Sequence, residues 1–142
     1  MTRSLHVVLS FLLTGVLVLI GGGFGCSTGA NVDDRRDEFV VAEVDSIEVP
    51  SRIAPSDTLS VDLYGTVGPN GCYSLDRIKE ERPAGTVTLT PIVRHRTGGF
   101  CTMAIVPLDA TYDVPPPFED GTLDIVVPQP DQPDVTATVT VD

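Results

Sequence analysis

The chain has 142 residues with 20 Asp and Glu against nine Lys and Arg, so its formal net charge is −11. Nucleic acids and anionic lipid headgroups are bound by cationic surfaces, and a balance this acidic argues against both as partners of the folded part. The length allows one domain with a real hydrophobic core and leaves no room for a second.

The first 25 residues have the order of a secretory signal peptide. Arg3 supplies a positive charge near the start, residues 5–20 are almost continuously apolar, and small or turn-forming residues occupy 21–25. This succession of a charged, an apolar and a small-residue region is typical of signals that direct export. We therefore expect a signal peptide at 1–25 and a mature protein outside the cytoplasm.

Cys26 directly follows this segment. The segment resembles the signal of bacterial lipoproteins, in which a peptidase cuts just before a cysteine that carries a lipid on its sulfur. Gly25 and Ser27 match that pattern, whereas Phe24 and Gly23 stand where the family usually has a small residue and Leu. The resemblance implies that Cys26 is lipidated and becomes the first residue of a protein anchored in the bacterial cell envelope, at the outer membrane or cell surface rather than the inner membrane.

Two other fates of the same segment stay open. Ordinary signal cleavage after Ala30 would place Thr28 and Ala30 at the small-residue positions and release a soluble protein. The segment could also remain as an uncleaved anchor, although its 16 apolar-leaning residues are fewer than the ~20 that a membrane-spanning helix needs.

Residues 26–38 predict a lipidated, flexible tether. After Cys26 they read STGANVDDRRDE, with Gly, Ser, mixed charge and no hydrophobic periodicity, and such segments bury too little apolar surface to fold. The 12 residues after Cys26 reach at most ~40 Å when fully extended. Their four acidic residues lack calcium-loop spacing and enclose two Arg, which favours a solvated linker over a cation site.

From residue 39 apolar and polar residues alternate with a period of two, which is typical of half-buried strands. Seven segments follow this pattern, separated by turns rich in Gly, Pro, Asn and Asp. They are 39–49, 59–64, 72–78, 87–95, 101–105, 123–127 and 135–141. Within the first segment the phase slips at Ser46, which indicates a bulge or a strand that changes sheets.

Seven short strands without a long amphipathic helix predict an all-β domain at 39–142. We expect two antiparallel sheets packed as a seven-stranded immunoglobulin-like β-sandwich. The chain has no Trp, and Cys72 and Cys101 lie at predicted strand starts rather than in mid-strand. The expected likeness is therefore to the architecture and not to antibody domains.

The chain has three Cys, an odd number that leaves one unpaired in an oxidising compartment. With Cys26 acylated, Cys72 and Cys101 remain as a pair, and each follows a turn that contains Gly. A redox or metal pair is less well supported, because there is no Cys-x-x-Cys spacing and the one His after the signal, His95, lies between two Arg. We predict a structural disulfide between Cys72 and Cys101.

Catalytic patterns are weak in this sequence. A hydrolase triad would depend on His95, which lies between two Arg, and no Gly-x-Ser-x-Gly sequence is present. Pairs of carboxylates are expected by chance in a chain with 20 acidic residues. We predict no catalytic residue, no metal and no cofactor, and a small secreted hydrolase is the alternative.

One compact basic patch stands out on this acidic chain. Arg94, His95 and Arg96 are followed by a Gly-Gly turn and Phe100, and loops of this kind often bind partners through an exposed aromatic residue. A hairpin arm whose charges keep a sheet edge soluble is the structural alternative. Residues 112–118 are a second candidate surface, as a polyproline-like segment with aromatic ends, or else a cap of the sandwich.

Together these patterns predict a lipid-anchored, extracytoplasmic, non-catalytic domain with a binding or structural role. Its expected partners are a membrane, reached through the N-terminal lipid, and a protein bound at the basic arm. A further alternative is an inhibitor or envelope assembly factor that offers a loop or a strand edge to another protein.

Overall fold

The computed structural model describes residues 36–142, and this part of the chain contains nine β-strands and no helix. The strands are β1 (Asp37–Val41), β2 (Glu43–Glu48), β3 (Arg52–Ile53), β4 (Leu59–Gly68), β5 (Tyr73–Glu81), β6 (Thr86–Arg96), β7 (Val106–Val114), β8 (Gly121–Val127) and β9 (Val135–Val141). The predicted signal peptide, Cys26 and most of the predicted tether lie outside the described residues. β1 begins at Asp37, so the sheet takes in two residues that the sequence pattern assigns to the tether.

The nine strands form two sheets that pack face to face. The larger sheet has six strands in the order β1-β6-β8-β9-β3, with β5 on the opposite edge of β6, and the smaller sheet has the order β2-β4-β7. Buried residues from both sheets form one hydrophobic core. The all-β, two-sheet fold expected from the sequence is therefore confirmed.

Alternation along the strands places one face of each sheet in the core. In β4 Leu59, Val61 and Leu63 are fully buried, and in β6 Val87 and Leu89 are buried in the same way. Full burial of a Val or Leu side chain contributes about 1.5–3 kcal/mol relative to exposure. Among the described residues no polar or charged side chain is buried, so the core is wholly apolar.

The chain changes sheets at Ala42, which lies between β1 in the larger sheet and β2 in the smaller. Ala42 is buried, and its N–H donates to the carbonyl oxygen of Pro91 at 3.0 Å. A register shift follows between Val44 and Ser46, where β2 pairs with β4. The phase slip at Ser46 is thus confirmed as a bulge, and a change of sheets occurs four residues earlier.

Pro91 lies in the middle of β6, a central strand, although proline has no N–H to donate to a sheet. Along one edge of β6, β1 pairs from Ile92 onward and β8 pairs only as far as Thr88. Pro91 occupies the gap between these two partners, and its carbonyl is satisfied by Ala42. The proline therefore marks the point at which β1 leaves the sheet.

The strand count differs from the seven expected. Only Ala42 separates β1 from β2, so the alternation at 39–49 continues through both strands. β3 has two residues, too few for a periodic signal.

The direction of pairing also differs from the all-antiparallel arrangement expected. β3 pairs with β9 in parallel, and β6 pairs with β8 in parallel. After β6 the chain crosses to the smaller sheet, runs back as β7 and returns as β8, which makes β6 and β8 point the same way.

The strand predicted at 101–105 is wrong. β7 spans Val106–Val114, and none of residues 101–105 belongs to a strand. The predicted phase placed Met103 and Ile105 on a core face, yet both are exposed, and the buried residues of β7 are Leu108 and Val114. The even positions of β7 face the core, so a short alternation at odd positions was mistaken for the start of this strand.

Candidate functional site

Residues 97–105, here called the tip loop, connect β6 to β7 at one end of the sandwich, here called the tip end. Three large apolar side chains protrude from the loop, with exposed fractions of 110% for Phe100, 93% for Met103 and 69% for Ile105. The loop contains no Asp, Glu, Lys or Arg. Clustered exposed apolar side chains mark contact surfaces in many soluble proteins.

The predicted disulfide between Cys72 and Cys101 is present and holds the tip loop. The two Cα atoms are 5.3 Å apart, within the ordinary range for a disulfide. Next to it, the N–H of Gly71 donates to the carbonyl oxygen of Thr102 at 2.9 Å, and the N–H of Cys72 donates to the side chain of Asn70 at 3.0 Å. The middle of the loop is therefore tied to the segment before β5 at two adjacent residues.

The described chain begins beside the tip loop. The N–H of Thr97 donates to the carbonyl oxygen of Arg36 at 2.8 Å, and the Thr97 hydroxyl donates to the same oxygen at 2.9 Å. The Arg36 N–H in turn lies 3.3 Å from Thr97 Oγ1. Arg36 leads directly into β1, which pairs antiparallel with the last residues of β6. The chain therefore joins the sandwich at the tip end.

The basic arm predicted from the sequence forms the last three residues of β6. The ring of His95 stacks on Tyr73 with centroids 4.1 Å apart and planes 6° apart, and its Nδ1 lies 3.4 Å from Glu38 Oε2. Arg94 is half-buried and Arg96 is exposed. The structure brings the arm next to the tip loop but divides its roles, because His95 contacts β5 and β1 while Arg96 faces solvent beside the loop.

Apolar exposure continues from the tip loop onto β1. Phe39 and Val40 are both exposed. Phe39 is opposite Arg94 in the register of β1 and β6, and the Arg77 guanidinium lies 5.6 Å from the centroid of its ring. Within residues 36–142 every exposed large apolar side chain belongs either to β1 or to the tip loop. The exposed apolar residues thus lie in β1, which follows Arg36, and in the tip loop, which begins at Thr97. Hydrogen bonds between Arg36 and Thr97 join the starts of these two segments.

Sequence reasoning identified Phe100 but missed Met103 and Ile105, which it assigned to a strand. A usable signal was present: residues 97–105 contain no charged side chain in a protein where 20% of residues are charged. An uncharged stretch that begins with a Gly-Gly turn is a loop with exposed apolar residues as readily as it is a strand. Only the burial of the apolar side chains distinguishes such a loop from a strand. An alternation over three positions gives no information about burial.

The second candidate surface, residues 112–118, lies at the opposite, far end and serves as a cap. Phe118 is buried, and its N–H donates to the carbonyl oxygen of Pro55 at 3.0 Å. The Tyr112 hydroxyl donates to Glu80 Oε2 at 3.0 Å. Burial first, and then this hydrogen bond, raises the pKa of the Tyr112 phenol. Both aromatic ends are used inside the domain, which supports the structural interpretation of this segment.

A shallow cavity of about 250 Å³ lies beside the cap, and its lining includes Arg82, Phe118, Glu119 and Asp120. The Arg82 guanidinium lies 5.6 Å from the centroid of the Phe118 ring and is also paired with Glu80. The one cation of this lining is therefore engaged by the domain itself. We assign the cavity no ligand.

The outer face of the smaller sheet is acidic. Tyr64 of β4 lies opposite Asp109 of β7 and Ser46 of β2, and Glu48 lies opposite Asp62 one step further along the same face. The negative charge of Glu48, followed by burial, Asp62 and Asp109, raises the pKa of the Tyr64 phenol. A face with this charge repels other anionic surfaces.

Within residues 36–142 no group of three or more His, Cys, Asp or Glu could hold a metal ion. In the same part of the chain, no helix has the length and hydropathy needed to cross a membrane. The absence of a metal, a cofactor and catalytic residues stays a prediction.

Comparison with known proteins identifies the family of this domain. A family model described as "ORF11 beta-sandwich domain" matches residues 61–141, more than half of the chain. The match starts within β4 and ends at the last residue of β9, so it includes both disulfide cysteines, the basic arm and the tip loop. No curated protein and no solved structure matches the chain. The chain therefore belongs to the ORF11 beta-sandwich domain family.

Proposed function

We propose that the protein is a lipid-anchored, non-catalytic domain of the bacterial cell envelope that acts by contact with another surface. In this proposal Cys26 carries the lipid and is the first residue of the mature chain. The residues after it connect the lipid to Arg36, where the sandwich begins. The immunoglobulin-like classification stays a prediction, since sheets of six and three strands with two parallel pairings depart from the seven-stranded antiparallel arrangement.

The tip loop is the observation that carries this proposal. Phe100, Met103 and Ile105 contribute almost nothing to the core, because their side chains stand in solvent. Their exposure is explained if the loop contacts another surface, as exposed apolar patches commonly do. The disulfide at Cys101 supports the same interpretation, because a loop that is already held loses less conformational entropy on contact.

The order of residues 1–26 supports the anchor. A charged start, an apolar run and small residues precede Cys26, as in an export signal. Removal of residues 1–25 leaves eight Lys and Arg against 20 Asp and Glu, a formal charge of −12. A protein this acidic gains little attraction to anionic lipids, so a covalent lipid is the more effective means to hold it at a membrane.

Expression of the full chain in a bacterial host tests the anchor. We expect the wild-type protein to have the mass of residues 26–142 plus a lipid and to partition into detergent. Cys26→Ser should lack the lipid mass and retain residues 1–25, because the cut is made before a cysteine that carries a lipid. Thr28→Ser is the matched control, because it changes a neighbouring residue of the same segment and keeps the cysteine. A Cys26→Ser protein with the wild-type mass and partitioning would show that the anchor lies elsewhere.

A further inference from the structure

We propose that the tip loop inserts its apolar side chains into the interfacial region of the bilayer that holds the lipid of Cys26. This inference rests on the lipid anchor of the proposed function and names the surface that the loop contacts. In this arrangement the sandwich stands with its tip end on the membrane and its far end in solution.

The position of Arg36 supports this orientation. Nine residues, 27–35, separate Cys26 from Arg36, and at full extension that connection spans about 35 Å. Arg36 is bonded to Thr97, the first residue of the tip loop. The far end lies a full strand away, since the 11 residues of β6 extend about 35 Å. The covalent connection is therefore attached at the tip end, and the far end could face the bilayer only if residues 27–35 were fully extended.

The composition of the loop suits the membrane interface. Phe100, Met103 and Ile105 are exposed, and no charged side chain would enter the lipid with them. Irregular backbone does not occur exposed to lipid in the hydrocarbon region, because its polar groups would lack partners. Insertion is therefore shallow, within the ~5–10 Å at the boundary of headgroups and acyl chains that amphipathic segments occupy.

The charge of the domain favours an apolar contact over an electrostatic one. The outer face of the smaller sheet carries Glu48, Asp62 and Asp109, and this negative charge repels anionic headgroups. The tip loop is itself uncharged, so it adds no electrostatic attraction to headgroups. We therefore expect the contact to form on neutral phosphatidylcholine and to depend little on salt, because screening acts on charges.

A fluorescent reporter placed in the loop tests this contact. The chain has no Trp, so Phe100→Trp introduces a single indole at a fully exposed position. The full-length lipidated variant is reconstituted into phosphatidylcholine vesicles with or without brominated acyl chains. We expect its emission to shift to shorter wavelength and to be quenched by the brominated lipid. Ala84→Trp is the matched control, because Ala84 is exposed in the turn between β5 and β6 at the far end, and its emission should stay unquenched.

The outcomes separate the two proposals. Vesicle flotation is measured on the same samples and reports attachment to the membrane, whether or not the indole enters the lipid. If the protein floats and the indole from Phe100→Trp is as unquenched as the far-end control, membrane contact is refuted, the anchor stands, and the loop is available to a protein partner. If the protein does not float, the anchor and the contact are both refuted. Flotation with quenching of the tip reporter only is the result that supports the inference.

Discussion

Tyr73 and His95 stack face to face across β5 and β6, with ring centroids 4.1 Å apart and planes 6° apart. The two residues are directly opposite in the register of these strands. Tyr73 follows Cys72 of the disulfide, and His95 also lies 3.4 Å from Glu38 of β1. The stack therefore links the support of the tip loop to the strand through which the chain joins the sandwich.

Removal of the stack should weaken the tip end. We expect His95→Ala to lower the free energy of unfolding by about 0.5–1.5 kcal/mol, the contribution of an aromatic pair beyond its buried area. His95→Phe is the control, because it keeps a flat ring opposite Tyr73 and removes the ring nitrogens that face Glu38. Urea denaturation measures both. Equal losses in the two variants would assign the effect to the contact with Glu38 instead of the stack.

The disulfide should contribute more than any single contact of the tip end. Cys72 and Cys101 are separated by 29 positions, and closure of such a loop stabilises by about 3.5 kcal/mol in the chain-entropy model. We expect the double variant Cys72→Ser and Cys101→Ser to lose stability of this size in urea denaturation. Reductant should lower the stability of the wild type and leave the double variant unchanged. A free thiol in unreduced, denatured wild type would contradict the pairing.

Much of the sandwich could be predicted because burial of one sheet face imposes alternation on the sequence. The segments 59–64, 123–127 and 135–141 lie within or coincide with β4, β8 and β9. Alternation does not report which sheet a strand joins, so a change of sheets was expected only as an alternative to a bulge at Ser46, and neither its position at Ala42 nor the parallel pairings were predicted. Those features depend on tertiary contacts, such as the hydrogen bond from Ala42 to Pro91.

The candidate site was predictable only in part. Phe100 and the basic arm were recognisable as local features, since an aromatic residue and three basic ones surround a Gly-Gly turn. The contact of Arg36 with Thr97 joins residues 61 positions apart through backbone atoms and one hydroxyl. Such bonds leave no pattern in a single sequence. The position at which the chain joins the sandwich therefore required the structure.

Two phenols should titrate above their usual range for different reasons. The pKa of Tyr64 is raised mainly by the charge of Glu48, and that of Tyr112 mainly by burial. Salt screens exposed charges, with a Debye length that falls from ~10 Å at 0.1 M to ~3 Å at 1 M. We expect high salt to move the pKa of Tyr64 toward 10.0 and to leave that of Tyr112 raised. Absorbance titration, with Tyr64→Phe and Tyr112→Phe as assignments, measures both.

The sign of the pH effect follows from these raised pKa values. Both phenols lose their protons less readily in the folded state than in the unfolded state, so the unfolded chain binds fewer protons above its own phenol pKa. Their contribution to stability is therefore complete below the ordinary phenol pKa of 10.0 and is lost as pH rises through the folded pKa values. Tyr112→Phe should flatten this alkaline loss, and an unchanged profile would contradict the assignment of Tyr112.

Gly65 tests the close approach of β2 to β4. A Cβ at Gly65 would collide with the backbone carbonyl oxygen of Glu43 and lie 2.9 Å from the Cα of Val44. Backbone atoms cannot rotate away as side chains do, so Gly65→Ala must separate the strands, and we expect it to cost about 1–3 kcal/mol. Gly99→Ala is the matched control, because no atom outside Gly99 and its two chain neighbours lies within 4 Å of the added methyl group, and its effect should stay within about 0.5 kcal/mol.

Urea denaturation of both glycine variants decides the point, since they add the same methyl group at a strand and at a loop. Loss of stability at Gly65 alone would place the tight contact between the strands of the smaller sheet and show that the tip loop tolerates added volume. Such tolerance is required of a loop whose side chains face outward. A large loss at Gly99 would mean that the loop packs more closely than its exposure indicates, and the contact role of Phe100 would then lose its structural basis.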